Sequence, residues 1–258
     1  MKTIISILLF IAVHITVSAS PLVEQADSAY TNDNFQEAVN LYNEILKTEG
    51  SSTTLYYNLG NSYYRLGQLG KAIVCYERAL HLDPTNSDAH TNLEFVNSKI
   101  IDKPIDSGTF ISNTIDSIVL TLHPNTWAWL ALASFVLLLG CIALYLFSGS
   151  IPLKKSGFFG GIIMLIATII FIVFALKAAH KTTKHNTAII TAPSTILSTS
   201  PRAPKDRSEE AGLLHEGTKI EIVDSISSRS DSIPEKWYEV KIDNINRAWV
   251  NASQIEKI

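Results

Sequence analysis

Two cysteines and seven histidines are the side chains best suited to nucleophilic or metal chemistry in this chain, and their spacing supports neither. The sequence holds no HExxH helix and no CxxC pair, the arrangements that converge imidazoles or thiolates on one ion. His180 and His185 lie among Lys177, Lys181 and Lys184, whose charge repels a cation. Cys75 falls in a charged, helical region and Cys141 in an apolar run, so one belongs in water and the other at membrane depth, too far apart for a disulfide. GxSxG, P-loop and GxGxxG patterns are absent as well. These residues argue against an enzyme and imply no cofactor and no metal, which leaves recognition and anchoring as the chemistry to look for.

The elements that would position recognising side chains are arranged around two apolar runs. Trp127 to Phe147 and Phe158 to Leu176 contain no Asp, Glu, Lys, Arg or His. Each is close to the ~20 apolar residues that cross a bilayer as a helix. Residues 127–147 and 158–176 are therefore expected to be transmembrane helices, joined by a turn at 148–157 into an antiparallel hairpin. Trp127, Trp129 and Tyr145 stand near the ends of the first run, where amphipathic rings favour the headgroup level. A hydrophobic content of 47% with a mean hydropathy of +0.18 suits a small hairpin carrying soluble domains. Residues 20–103 hold six Lys and Arg against eleven Asp and Glu, and residues 185–258 hold nine against eleven. Neither part is basic, so no nucleic-acid partner is expected.

Ahead of the hairpin, residues 1–19 read as a secretory signal: Lys2, an apolar stretch from Ile4 to Val17, then Ser18, Ala19 and Ser20, with cleavage expected after Ala19. An uncleaved anchor would leave the following domain on the same side. Residues 20–103 show helical patterning with a 34-residue period, in which Ala38 aligns with Ala72 and Tyr42 with Tyr76. The second copy adds Tyr56, Leu59, Gly60, Tyr63, Ala79 and Pro84, while the first copy is degraded at Leu22, Gln25, Ala26 and Ala29. A further helix from Ser87 to about Ile101, with Ala89, Leu93 and Val96 or Phe95 inward, is expected to cap the series. Residues 104–126 form a linker in which Ile111, Ile115, Ile118, Val119 and Leu122 recur opposite Ser112, Asn113, Asp116 and Ser117. That is an amphipathic helix, suited to the membrane surface or to packing on the repeat domain.

The repeat pattern resembles the tetratricopeptide repeat. The resemblance implies pairs of antiparallel helices whose first members build a concave, partner-binding face. Carried over position by position, that face comprises Tyr57, Asn61, Tyr64 and Arg65, with Phe95 and Lys99 from the cap. Asn61 and Lys99 would hold a peptide backbone or carboxylate. Asp27 and Tyr30 stand where the carboxylate-binding subgroup carries a cation and an amide.

Lys154 and Lys155 lie in the turn, and no Lys or Arg occurs between Lys103 and Lys154. Positive residues favour the cytoplasmic side, so the turn is expected there and both soluble domains outside. Lys177, Lys181 and Lys184 pull the other way. Gly157 and Gly161 have a GxxxG spacing at the start of the second run.

Residues 177–186 form a juxtamembrane linker, after which patterning alternates. Ala188–Thr191, Thr218–Asp224, Trp237–Ile242 and Arg247–Val250 read as strands, with a turn at Asp243 and Asn244 and a long first loop broken by Pro193, Pro201 and Pro204. Residues 187–258 resemble the bacterial SH3-like module through Thr191–Ser194, Leu214–Thr218, Trp237–Val240, Ala248–Val250 and Ile255. The resemblance implies a small all-β barrel with Ile220, Ile222, Val240 and Val250 in its core. Trp237 and Trp249 then frame a ligand groove for cell-wall peptides, or Trp237 packs the barrel.

The whole series, from signal through repeats and hairpin to the SH3-like domain, resembles the BatE-like proteins of the bacterial aerotolerance operon. It implies a multidomain protein of the bacterial inner membrane, a scaffold whose repeats bind other membrane or exported proteins. The partners implied are von Willebrand-type Bat proteins and a MoxR-type ATPase. The rival reading is an envelope sensor or wall receptor that binds peptidoglycan.

Overall fold

The computed structural model describes residues 20–102, 110–183, 186–228, 235–242 and 246–258. The expected signal over residues 1–19, Lys103, Lys184 and the turn at Asp243 and Asn244 lie outside the described residues. The chain divides into two compact units, one ending at Gly50 and the other spanning Ser51–Ile258.

In the first unit, helices α1 (Pro21–Thr31) and α2 (Phe35–Thr48) form a hairpin. Ser20 Oγ accepts from Leu22 N and Pro21 opens the first turn, where no amide donor is needed. Ala26, Ala29 and Ala38 are buried, and their small side chains let the two helices approach closely. The opening helix thus forms despite lacking the aromatic, Leu-Gly and Tyr of the repeat pattern.

The second unit begins with the same hairpin in fuller form, α3 (Thr53–Arg65) and α4 (Leu69–Leu82), followed by α5 (Ser87–Asn97). Ser52 and Asn86 cap α3 and α5. The turns inside the two hairpins match at an offset of 34: Asp33 N donates to Tyr30 O and Asn34 N to Ala29 O, as Gly67 N does to Tyr64 O and Gln68 N to Tyr63 O. Both turns need a left-handed residue, supplied by Asp33 at φ 60° and Gly67 at φ 76°. On the cap helix Val96 faces inward at 1% exposure, while Phe95 points outward at 50%.

The linker helix α6 (Phe110–Val119) leads to α7 (Pro124–Phe147) and α8 (Ile151–Thr183). Both long helices are long and apolar enough to cross a membrane. Their turn is only Ser148–Ser150, shorter than the expected 148–157, because α8 runs straight through Lys154 and Lys155. Lysine is a good helix former, and Pro152 sits in the first turn, where its missing N–H costs nothing. Near this turn the helices touch backbone to backbone: a Cβ on Gly157 would lie 2.7 Å from Cys141 O and 2.8 Å from Tyr145 N. Mid-hairpin, buried Ser134 Oγ and Thr168 Oγ1 are 2.9 Å apart. At the open end Val119, Trp127 and Ala178 form a buried cluster backed by Leu122, Phe171 and Phe174. Trp127 Nε1 donates to Val119 O at 2.9 Å, and Lys177 pairs with Asp116 at 2.6 Å, so the linker helix docks on the base of the hairpin.

The C-terminal part is an antiparallel sheet of seven strands in the order β3-β2-β6-β5-β4-β1-β7. Its strands are β1 (Thr187–Ile190), β2 (Ser194–Ser198), β3 (Glu210–His215), β4 (Lys219–Ser228), β5 (Glu235–Lys241), β6 (Arg247–Asn251) and β7 (Ile255–Lys257). Ala188, Leu197, Ile220, Ile222, Tyr238, Val240, Val250 and Ile255 share one core. Residues from both ends of the strand order meet there, so the sheet curls over a single interior. Strands β2 and β3 occupy the stretch expected as a long loop. Pro193 ends just before β2, and Pro201 and Pro204 fall in the connection to β3, so the prolines punctuate these strands without interrupting them.

Candidate partner-binding face

Helix α3, helix α5 and the turn that follows α5 position the six residues expected to recognise a partner, and hydrogen bonds fix part of that face. Asn61 Oδ1 accepts from Tyr76 Oη at 2.7 Å and from Asn92 Nδ2 at 2.9 Å, and Asn92 Nδ2 also reaches Tyr57 Oη at 3.3 Å. Both lone pairs of the Asn61 carbonyl are thereby used, so only its Nδ2 donors are left to offer a partner. The first unit repeats this bond at an offset of 34: Tyr42 Oη donates to Asp27 Oδ1 at 2.5 Å. Asp27 and Asn61 thus share a job, holding the tyrosine of the second helix, and either an amide or a carboxylate oxygen can accept that bond.

The other members of the face form an aromatic shelf with a cationic rim. The Tyr64 and Phe95 rings meet edge to face at 5.7 Å, and Lys99 Nζ lies 4.6 Å from the Phe95 centroid. Arg65 is exposed at the end of α3. The structure therefore brings together two subsets, a fixed polar one of Tyr57 and Asn61 and an open one of Tyr64, Phe95 and Lys99. Sequence reasoning missed Asn92, which bridges Tyr57 and Asn61. Its position three residues before Phe95, on the same face of α5, was the available signal.

The opposite side of the repeat is occupied by the sheet, which docks on α4. Ile73, Val96, Ile100 and Ile189 share a buried cluster, flanked by polar contacts. Glu216 Oε1 accepts from Gly70 N at 2.8 Å and so caps α4, whose own Gln68 makes no side-chain cap. Arg78 bonds Glu256 at 2.7 Å and Lys257 O at 2.6 Å, and Lys219 bonds Glu77 at 2.6 Å. Asp102 accepts from His215 N at 2.6 Å and Thr218 Oγ1 at 2.9 Å. Burial raises the Asp102 pKa, but the hydrogen bonds from His215 and Thr218 together outweigh it and hold the carboxyl below its usual range. Gly217, at φ 90°, presses against Ile73 and Ile100, where a Cβ would have no room. Behind the face, Cys75 is 3% exposed, and burial pushes its thiol up to about 12.

Trp237 and Trp249 lie on β5 and β6, where Trp249 pairs with Glu239 and Trp237 with Asn251. Alternation puts both on the face opposite the core residues Tyr238, Val240 and Val250. Trp237 is nevertheless buried at 4% exposure, and its Nε1 donates to Glu235 Oε2 at 3.2 Å. Trp249 is half-buried.

The helix pair with its left-handed turn, the packing of Gly60 on Tyr76, where a Cβ would lie 2.8 Å from Cε1, and Pro84 beyond the end of α4 decide the class of the helical region. Residues 54–86 match the tetratricopeptide repeat. Tetratricopeptide repeat protein 16 of Homo sapiens is 34% identical over 71 residues, covering 28% of this chain and 8% of that protein. A protein SGT1 homolog of Oryza sativa is 28% identical over 75 residues, 29% of this chain and 20% of that protein. Sperm-associated antigen 1 of Rattus norvegicus is 32% identical over 73 residues, 28% of this chain and 8% of that protein. The chain thus spans a fifth or less of the length of these relatives, and the likeness is one of repeat. A tetratricopeptide repeat is a protein-interaction module, and among the described residues no group of three or more His, Cys, Asp and Glu is placed to hold a metal ion.

Proposed function

We propose that this chain is a membrane-anchored scaffold that holds a partner protein on the α3/α5 face. The observation that carries the reading is the division of labour around α4. The sheet takes one side of the repeat, and the Tyr64–Phe95–Lys99 shelf on the other side keeps Phe95 half exposed. In this reading α7 and α8 cross the bacterial inner membrane with Lys154 and Lys155 on the cytoplasmic side. The repeats and the sheet then share the extracytoplasmic side. The Lys177–Asp116 pair supports that orientation, because it offsets one of the three lysines that opposed it. The curled sheet and the buried Ile220, Ile222, Val240 and Val250 support an SH3-like barrel over residues 187–258. By resemblance to BatE-like proteins, the partners are von Willebrand-type Bat proteins.

The test is co-purification from bacterial membranes of the native chain and of a variant carrying Arg65→Glu, Phe95→Ala and Lys99→Glu. These positions are exposed, so their loss leaves the Tyr57–Asn92–Asn61–Tyr76 network in place. Loss of the bound partner with an intact fold supports the reading, and unchanged partners overturn the face. The wall-receptor alternative rests on Trp249, which lies on the outward face of the sheet. Binding to purified peptidoglycan that Trp249→Ala abolishes would favour it.

A further inference from the structure

We infer that the turn end of the hairpin is a binding site for one anionic phospholipid, an inference that rests on the membrane-spanning reading above. An apolar groove of about 190 Å³ runs between the two helices there, lined by Leu138, Ile142, Tyr145, Phe158, Gly161 and Leu165, among others. The groove exists because small residues line part of α8. A Cβ on Gly161 would meet nothing closer than Cys141 Cβ at 3.7 Å and Leu138 Cδ1 at 3.9 Å, whereas Gly157 holds the two backbones together one turn away. An open slot of this size takes a segment of acyl chain, and it is too narrow for a further helix with side chains.

Charge identifies the other half of the ligand. Lys154 precedes Phe158 by four residues and Gly161 by seven, so it stands on the face of α8 that lines the groove, one turn above its mouth. Lys155 is beside it, and both lysines are exposed. No Asp or Glu occurs in the sequence between Asp116 and Asp206, so the hairpin supplies no carboxylate to neutralise them. Tyr145 lines the groove with its ring 6.1 Å from that of Phe158, which adds an amphipathic side chain of the kind favoured at the headgroup level. Two unneutralised ammonium groups above an apolar slot match a phosphodiester headgroup above its acyl chain. A neutral or zwitterionic lipid would fill the slot but leave the lysines without a net countercharge.

The test uses the full chain reconstituted in nanodiscs of phosphatidylcholine containing a minority of phosphatidylglycerol, then released for native mass spectrometry. The native chain should retain one phosphatidylglycerol in preference to phosphatidylcholine. K154Q and K155Q should each lower that preference about fivefold. G161L, which fills the slot, should abolish retention of either lipid, whereas G161A should behave as the native chain. Equal retention of the two lipids by the native chain would overturn the site, as would retention unchanged in G161L. Displacement by inorganic phosphate alone would also overturn it, by assigning the affinity to the headgroup without the groove. Failure of the chain to enter nanodiscs at all would instead overturn the membrane reading, and the site with it.

Discussion

Replacing Gly60 by alanine sets two opposed effects against each other at the centre of the repeat. An alanine in mid-helix favours α3 by about 0.8–1.0 kcal/mol over glycine. The new methyl, however, would lie 2.8 Å from Tyr76 Cε1 and 3.2 Å from Cys75 Cβ. Tyr76 is 1% exposed, and its hydroxyl is held by Asn61, so the ring cannot retreat without straining that bond. Overpacking of this kind costs about 1–3 kcal/mol, and a weakened hydrogen bond adds about 1 kcal/mol. The net expectation is a loss of about 1–3 kcal/mol. Cys75 reports it directly, because its buried thiol reacts only when the repeat opens. With the protein in micelles and Cys141→Ala as background, Gly60→Ala should speed Cys75 alkylation roughly five- to 150-fold. The penalty should shrink when the same change is made beside Tyr76→Leu, which removes the ring the methyl strikes. Alkylation no faster than in the parent, or a penalty undiminished beside Tyr76→Leu, would refute the packing argument.

Three further outcomes follow from the same structure. Gly67→Ala should cost about 1–2 kcal/mol from its left-handed backbone alone, since open space surrounds its Cα, and urea denaturation will measure it. Gly217→Ala combines that strain with a clash on Ile73 and Ile100, so it should undock the sheet from α4. Faster hydrogen exchange at Gly70, whose amide is bonded to Glu216, is the readout. The raised Cys75 pKa makes the folded state hold its proton when the unfolded state has lost it. Its contribution is therefore complete below about pH 9 and lost as pH rises toward about 12. The unfolding midpoint should fall over that window more steeply in the native chain than in Cys75→Ala.

Features governed by local rules were legible in the sequence, and features governed by distant partners were not. The 34-residue period located the equivalent turns at Asp33 and Gly67, and the absence of charge located both long helices. The expectation that Asn61 binds a ligand missed its internal role, although its alignment with Asp27 and that of Tyr76 with Tyr42 held the clue. Strands β2 and β3 were hidden by flanking prolines and by exposed residues such as Ile196 and Leu213, which blur the alternation. The docking of the sheet on α4 was invisible for a different reason. Its cap on α4 comes from a residue 146 positions away, and the Arg78–Glu256 pair spans 178. No periodicity encodes such contacts. The linker helix was legible as amphipathic, but its seat on Trp127 and Ala178 required the hairpin to be in place.

In the proposed topology the hairpin returns the chain to the side it left, so that the repeat and the sheet face the same compartment. Native Cys75 is too buried to report it. Single cysteines at the exposed positions Thr54, Ser150 and Ser225, placed in a chain lacking Cys75 and Cys141, provide the probes. In cells whose outer barrier alone has been opened, an impermeant maleimide should label the cysteines at 54 and 225 together. The cysteine at 150 should react only after the inner membrane is breached. Labelling of 54 and 225 under different conditions, or of all three together, would refute this topology.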